Sequence, residues 1–404
     1  MTTRDPAARV ALVALTATTA IQIFTSLAVA TPAVLAPALA PDLGITPQWI
    51  GVFIGLVYTG AMLGSLAAGG FIAQWGSIRL SQICVLLCTV GIALVGLLPG
   101  SAAALLVAAA FLLGLGYGPI TPASSAVLIR TTPPARMALM FSIKQTGVPA
   151  GAALAGAVMP GVALLFGWRS ALVGLAVVGL LVIAAAEPTR RALDTARTAG
   201  QSFSLKALLG PLRTVLAARE LRALSLMGFA FASVQVCLSS FLVIFLFDTL
   251  GWSLVSAGLA LTCATISAVV ARILWGMVSD RWLGPGRVLA LIGVIATLCG
   301  VLLASAGPGW PTWTILVVAA LYGASAIGWN GVMLAELARL APPGSAGAVT
   351  GASGFVTFGG VMAGPPVFAG LAAASGSYRT GFFAAALVSG IAAATLILHS
   401  RRKH

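Results

Sequence analysis

Apolar residues run through this chain in long continuous stretches, separated by short clusters of charge, proline and glycine. A helix that crosses a bilayer needs about 20 such residues. The stretches predict helices over 10–38, 50–72, 81–99, 103–129, 138–165, 170–187, 223–247, 253–277, 288–306, 312–335, 346–373 and 380–399. The runs are continuous rather than alternating, which favours helices over a barrel, and a helix satisfies its own backbone within one segment. Small residues four apart, at Gly51/Gly55, Gly60/Gly64 and Gly147/Gly151, suit close approach of helix backbones. No polar stretch is longer than that from Pro188 to Arg222, so a separate soluble domain has no room.

The polar breaks repeat. At an offset of 206 to 210 residues, Asp42 meets Asp248, Gly44 meets Gly251, Gly51 meets Gly258 and Arg79 meets Arg287. The register continues with Arg130 and Arg339, Pro133-Pro134 and Pro342-Pro343, and Arg169 and Arg379. Seven ordered matches in corresponding loops imply two related six-helix halves, residues 1–187 and 223–404, joined by a linker over 188–222.

Composition agrees with this pattern. Of 404 residues, 60% are hydrophobic and 7% charged, with a mean hydropathy of +1.08, whereas a soluble domain carries about 25% charged residues. With a cytoplasmic amino terminus, all 22 Lys and Arg except Arg169 and Arg379 fall at or near the cytoplasmic side. The positive-inside rule thus predicts a multi-pass protein of the cytoplasmic membrane with both termini inside. The +14 charge lies along loops that flank helices, which argues against nucleic acid as a partner. The expected partners are the lipid bilayer and a small-molecule substrate, with the protein a monomer. Arg4 and Arg9 before an apolar run ending in Ala28-Val29-Ala30 resemble a secretory signal, but the run continues past that site and is read as the first span. The five cysteines lie within apolar spans and read as small buried hydrophobes rather than metal ligands.

Two six-helix halves with a basic linker resemble the major facilitator superfamily of transporters, whose substrate site lies near the midplane between the halves. The family's loop signature, Gly-x-x-x-Asp-Arg followed by a glycine and basic residues, is matched by Gly276-Met277-Val278-Ser279-Asp280-Arg281, Gly284 and Arg287, with one extra residue before the glycine. In the first half Gly69, Gly76 and Arg79 remain, but Ala73 and Gln74 occupy the Asp-Arg positions. The resemblance covers essentially the whole chain. It implies an all-α membrane protein of twelve transmembrane helices that works by alternating access without a cofactor, with Gly276, Asp280 and Arg281 in the cytoplasmic gate. H⁺ is the coupling ion to consider, although no carboxylate lies at mid-depth.

Charge inside a membrane is costly and marks function. Lys144 lies about two turns into the fifth helix, and Arg272 about two turns before Asp280 in the eighth. Arg272 followed by Ser279-Asp280-Arg281 resembles the carboxylate transporters of the superfamily, including oxalate:formate exchangers. Those carry a lysine in helix eleven; this chain has Lys144 in helix five, the repeat counterpart. The pair implies a clamp for a small organic anion. The alternative is that both side chains snorkel to the surface. Gln22, Tyr117, Gln235, Tyr322 and Asn330, on helices that line the cavity of this fold, complete the substrate candidates, with Trp329, Gln145 and Thr146 beside them. The rival is a proton-coupled exporter of hydrophobic compounds; Leu106 and Gly114 fit its helix-four frame, but Ala110 stands in place of its arginine. A membrane enzyme is disfavoured, because the two histidines, His399 and His404, lie at the carboxyl end, away from any carboxylate at depth.

Overall fold

The computed structural model describes residues 6–44, 48–97, 103–194 and 205–401; Arg4, His404 and residues 195–204 of the linker lie outside them. Among the described residues, twelve helices are long and apolar enough to span a membrane. In the first half they are α1 (Ala8–Val34), α2 (Gly51–Trp75), α3 (Ser77–Leu97), α4 (Ala104–Thr131), α5 (Pro134–Phe166) and α6 (Trp168–Leu193). In the second half they are α7 (Arg219–Asp248), α8 (Ser256–Leu283), α9 (Pro285–Ser305), α10 (Thr312–Leu340), α11 (Ala346–Ser375) and α12 (Tyr378–Ile397). The predicted twelve-helix, all-α membrane architecture is what the chain adopts.

One departure is at a helix end. α6 runs past the predicted stop at 187 because charge at its end is satisfied within the helix. Glu187 accepts from Arg190, Arg191 and, across to α3, Gln82. The carboxylate of Asp194, beyond α6, accepts from the first amides of α3, Ile78 N at 3.1 Å and Arg79 N at 2.8 Å. Part of the linker is itself helical, over Leu205–Ala217.

The repeat reappears in the backbone. Gly44 and Gly251, Gly76 and Gly284, and Gly167 and Gly376 all have positive φ, between 62° and 89°. Each pair sits in matching turns between spans, where a residue with a Cβ would be strained.

By packing, the chain forms two compact units. The first comprises Met1–Thr132, Lys144–Ala217 and Ala338–Phe355; the second comprises Pro133–Ile143, Ala218–Leu337 and Val356–His404. Each unit therefore takes in the beginning of the fifth helix of the other sequence half. In the first unit, Ile21, Phe24, Cys88, Ile92, Leu113 and Leu172 belong to one apolar core. In the second, Leu238, Phe245, Cys299, Ile315, Tyr322 and Phe382 do the same.

Candidate substrate-binding site

The fourth helix of each half is broken, and at corresponding places. α4 consists of Ala103–Tyr117 and Ile120–Thr131, and α10 of Thr312–Ala326 and Asn330–Leu340. Pro119 contributes to the first break, since it has no N–H to continue the ladder. Just ahead of each break a glycine lets the helix press on the second helix of its half. A Cβ on Gly114 would collide with the carbonyl of Val57, and one on Gly323 with that of Ala264. Interrupted helices release backbone polar groups at membrane depth, where protein groups must satisfy them.

In the second unit, those partners come from α8 and α7. Arg272, 2% exposed, directs Nε and Nη2 to the carbonyl of Ile327, at 3.2 and 3.1 Å. Trp275, one turn on, donates Nε1 to the carbonyl of Ala324 at 2.9 Å. Asn330, at the restart of α10, gives Nδ2 to Ile327 O at 3.4 Å and to Gln235 Oε1 of α7 at 3.3 Å. Arg272, Gln235 and Asn330 thus share one polar network around the break. Tyr322 is fully buried in the apolar core, and among the described residues no hydrogen bond joins its hydroxyl to that network. Trp329, 1% exposed, packs edge-on to Phe231.

In the first unit, the cation comes from α5. That helix is interrupted at Thr146, between Met137–Gln145 and Gly147–Phe166, and Pro149 withholds the amide that would otherwise continue the ladder there. Gly147 and Gly151 bring α5 against α1: a Cβ on Gly147 would sit 3.0 Å from Cβ of Gln22, and one on Gly151 would collide with the carbonyl of Ile23. Close approach carries Lys144 to α1. Its ammonium is 0% exposed and donates to Gln22 Oε1 at 2.7 Å, Gln145 Oε1 at 3.1 Å and Thr121 Oγ1 at 3.5 Å. An ammonium has three donors, so neutral oxygens from α1, α4 and α5 saturate it, and among the described residues no carboxylate pairs with it. Neither Lys144 nor Arg272 snorkels to the surface.

Gln22 passes the contact on, giving Nε2 to Ser26 Oγ at 3.2 Å. Ser26 borders a cavity of about 190 Å³ within the first unit, together with Val29, Val57, Tyr58, Tyr117 and Val148. Tyr117 thus borders a cavity to which Gln22 and Lys144 connect. Neither Ser26 nor Thr121 was singled out from the sequence. Ser26 carried a usable signal, lying one helical turn from Gln22; Thr121 is brought in only by the fold of α4 around its break.

At the end of α8, Asp280 accepts from the first amides of the Met137–Gln145 segment of α5, Ala138 N at 3.0 Å and Leu139 N at 2.8 Å. Gly276, one turn earlier, faces the same stretch: a Cβ there would lie 2.9 Å from the carbonyl of Ala138. Arg281 is exposed and forms no ion pair among the described residues.

A profile of the Major Facilitator Superfamily matches residues 18–365. The chain belongs to the major facilitator superfamily. It is accordingly a multi-pass membrane protein and a secondary transporter, of a family whose members transport solutes rather than catalyse reactions and generally need no cofactor. Solved structures share the fold. A single-substitution variant of the Escherichia coli fucose:proton symporter, FucP, aligns with a TM-score of 0.72 at 18% identity over 94% of this chain and 98% of that one. FucP in the outward conformation gives 0.74 at 16% over 96% and 99%. The human organic anion transporter MFSD10 (TETRAN) gives 0.75 at 17% over 97% and 100%. No curated protein sequence matches the chain.

Proposed function

We propose that this protein carries a small organic anion, such as a carboxylate, across the cytoplasmic membrane by alternating access, as a monomer with both termini in the cytoplasm. The observation that carries the reading is Lys144: a fully buried ammonium whose three hydrogen bonds go to neutral oxygens. A cation taken out of water without a counter-charge is costly, and an anionic substrate near it offsets that cost. Arg272 adds a second buried cation against the α10 break. The solved structures of similar fold are compatible with this reading, since one is of an organic anion transporter and another of a proton symporter. H⁺ is the coupling ion we favour.

In this mechanism the halves 1–187 and 223–404 rock about the site while Asp280, held on the start of α5, helps to latch the cytoplasmic side. Lys144→Ala should weaken anion binding, because it removes the buried positive charge that an anionic substrate offsets. Arg272→Lys should restore only part of what Arg272→Ala loses, because one ammonium cannot replace a forked donor. Calorimetric titration of the purified variants with a panel of carboxylates tests both. Unchanged affinity in Lys144→Ala and Arg272→Ala would remove the anion reading and leave an exporter of neutral or cationic compounds in its place.

A further inference from the structure

The cavity of the first unit has a wall, a size and one oriented polar group, and together they narrow the substrate. The orientation follows from Lys144. Its ammonium has only donors, so it takes the oxygen of the Gln22 amide, at 2.7 Å. The amide nitrogen of Gln22 is thereby turned to Ser26, whose oxygen accepts it at 3.2 Å. A serine hydroxyl has one donor besides its acceptor lone pairs. With an acceptor site on Ser26 occupied, its O–H is left to donate, and no residue among those described accepts it. Ser26 itself borders the cavity. The positive charge on Lys144 is therefore presented to the cavity as a polarised donor two hydrogen bonds away, and consecutive bonds of this sense strengthen one another.

The remaining wall is chiefly apolar. Val29, Val57, Val148, Tyr58 and Tyr117 are among the residues that line it. At about 190 Å³, it is smaller than the roughly 300–1,000 Å³ typical of sites for drug-sized ligands. A dicarboxylate such as oxalate would bring a second charge against this chiefly apolar wall, where burying charge is costly.

We propose that this cavity binds a small monocarboxylate with an apolar or aromatic body, and that Ser26 donates its hydroxyl proton to the carboxylate while Lys144 and Gln22 act as positioning residues behind it. The inference rests on the organic-anion reading above and goes further, to the ligand class and the residue that selects it.

Benzoate is a suitable probe, with toluene as its uncharged counterpart and oxalate as the compact dianion. Titration calorimetry on the full-length purified protein should show benzoate binding more tightly than either. Ser26→Ala should weaken benzoate by on the order of 10- to 100-fold, the effect of losing a hydrogen bond to a charged group, and should leave toluene unchanged. Ser26→Thr keeps the donor and should restore most of the affinity, which also shows that the loss is not one of folding. Ala152→Leu, which narrows the same cavity, should weaken both benzoate and toluene. Benzoate affinity unchanged in both Ser26→Ala and Ala152→Leu would overturn the cavity as the site while leaving an organic anion as substrate. Binding of oxalate without benzoate would overturn the ligand class alone. Toluene bound as tightly as benzoate, or no binding of either carboxylate, would remove both the inference and the reading beneath it.

Discussion

In each half, the second helix of the repeat ends against the beginning of a fifth helix, and the two junctions are built differently. α8 meets α5 through Gly276 and Asp280, and the carboxylate takes the amides of Ala138 and Leu139. α2 meets α11 through Gly69, where a Cβ would lie 2.5 Å from Cβ of Ala348, and through Ser65, whose hydroxyl donates to the carbonyl of Gly351 at 3.1 Å. Ala73 stands where the second half has Asp280. The glycine contact is common to both; the acid is not. An anion at a helix N-terminus satisfies free amides and complements the helix dipole, but it ties the junction to charge. Small residues in contact, with one hydroxyl-to-carbonyl bond, hold the backbones together without charge. Loss of the acid in one half therefore leaves the junction standing but changes what resists its opening.

The largest effect is expected where the halves are alike. Gly114→Ala and Gly323→Ala each drive a Cβ into a backbone carbonyl of the neighbouring helix, and neither carbonyl can move without its helix. Overpacking of this kind costs about 1–3 kcal/mol, occasionally more, and thermal unfolding in detergent should show similar losses for both. A loss in only one would mean that the halves do not share this contact energetically.

The junction glycines come next. Gly69→Ala should slow transport more than Gly276→Ala, because the first junction retains the single Ser65–Gly351 hydrogen bond, whereas the second retains two to the charged Asp280. Flux into proteoliposomes, with bound ligand measured separately, checks the order. Equal slowing would mean that the carboxylate contributes little.

The smallest effect is electrostatic. Asp280→Asn keeps an acceptor but removes the charge. It should weaken the second junction by about 0.3–1 kcal/mol and alter the exchange rate while ligand affinity stays near its starting value. Ala73→Asp should act in the opposite sense, adding to the first junction the anion it lacks. If both substitutions shift exchange in the same direction, the junctions are not equivalent in the transport cycle.

Much of this protein was legible in its residue pattern. The twelve spans follow from apolar runs long enough to cross a bilayer, a property of composition that needs no partner. The repeat follows from loop residues in register, and its turns reuse glycines at matching positive-φ positions. Lys144 and Arg272 could be singled out because charge at depth is costly wherever it points. What each one meets was not legible. Lys144 is surrounded by Gln22, Thr121 and Gln145 because Gly147 and Gly151 bring α5 onto α1. Arg272 reaches the carbonyl of Ile327 because α10 is interrupted there. The acid of Asp280 belonged to a recognisable loop signature, yet its acceptor role toward Ala138 and Leu139 depends on residues about 140 positions away. Tyr322, chosen for its helix and depth, lies in an apolar core. Hydropathy and charge are local costs that a residue carries into any fold, whereas a hydrogen-bond partner or a cavity wall exists only after distant helices have packed, and that packing selected Ser26 from among the many small polar residues along the spans.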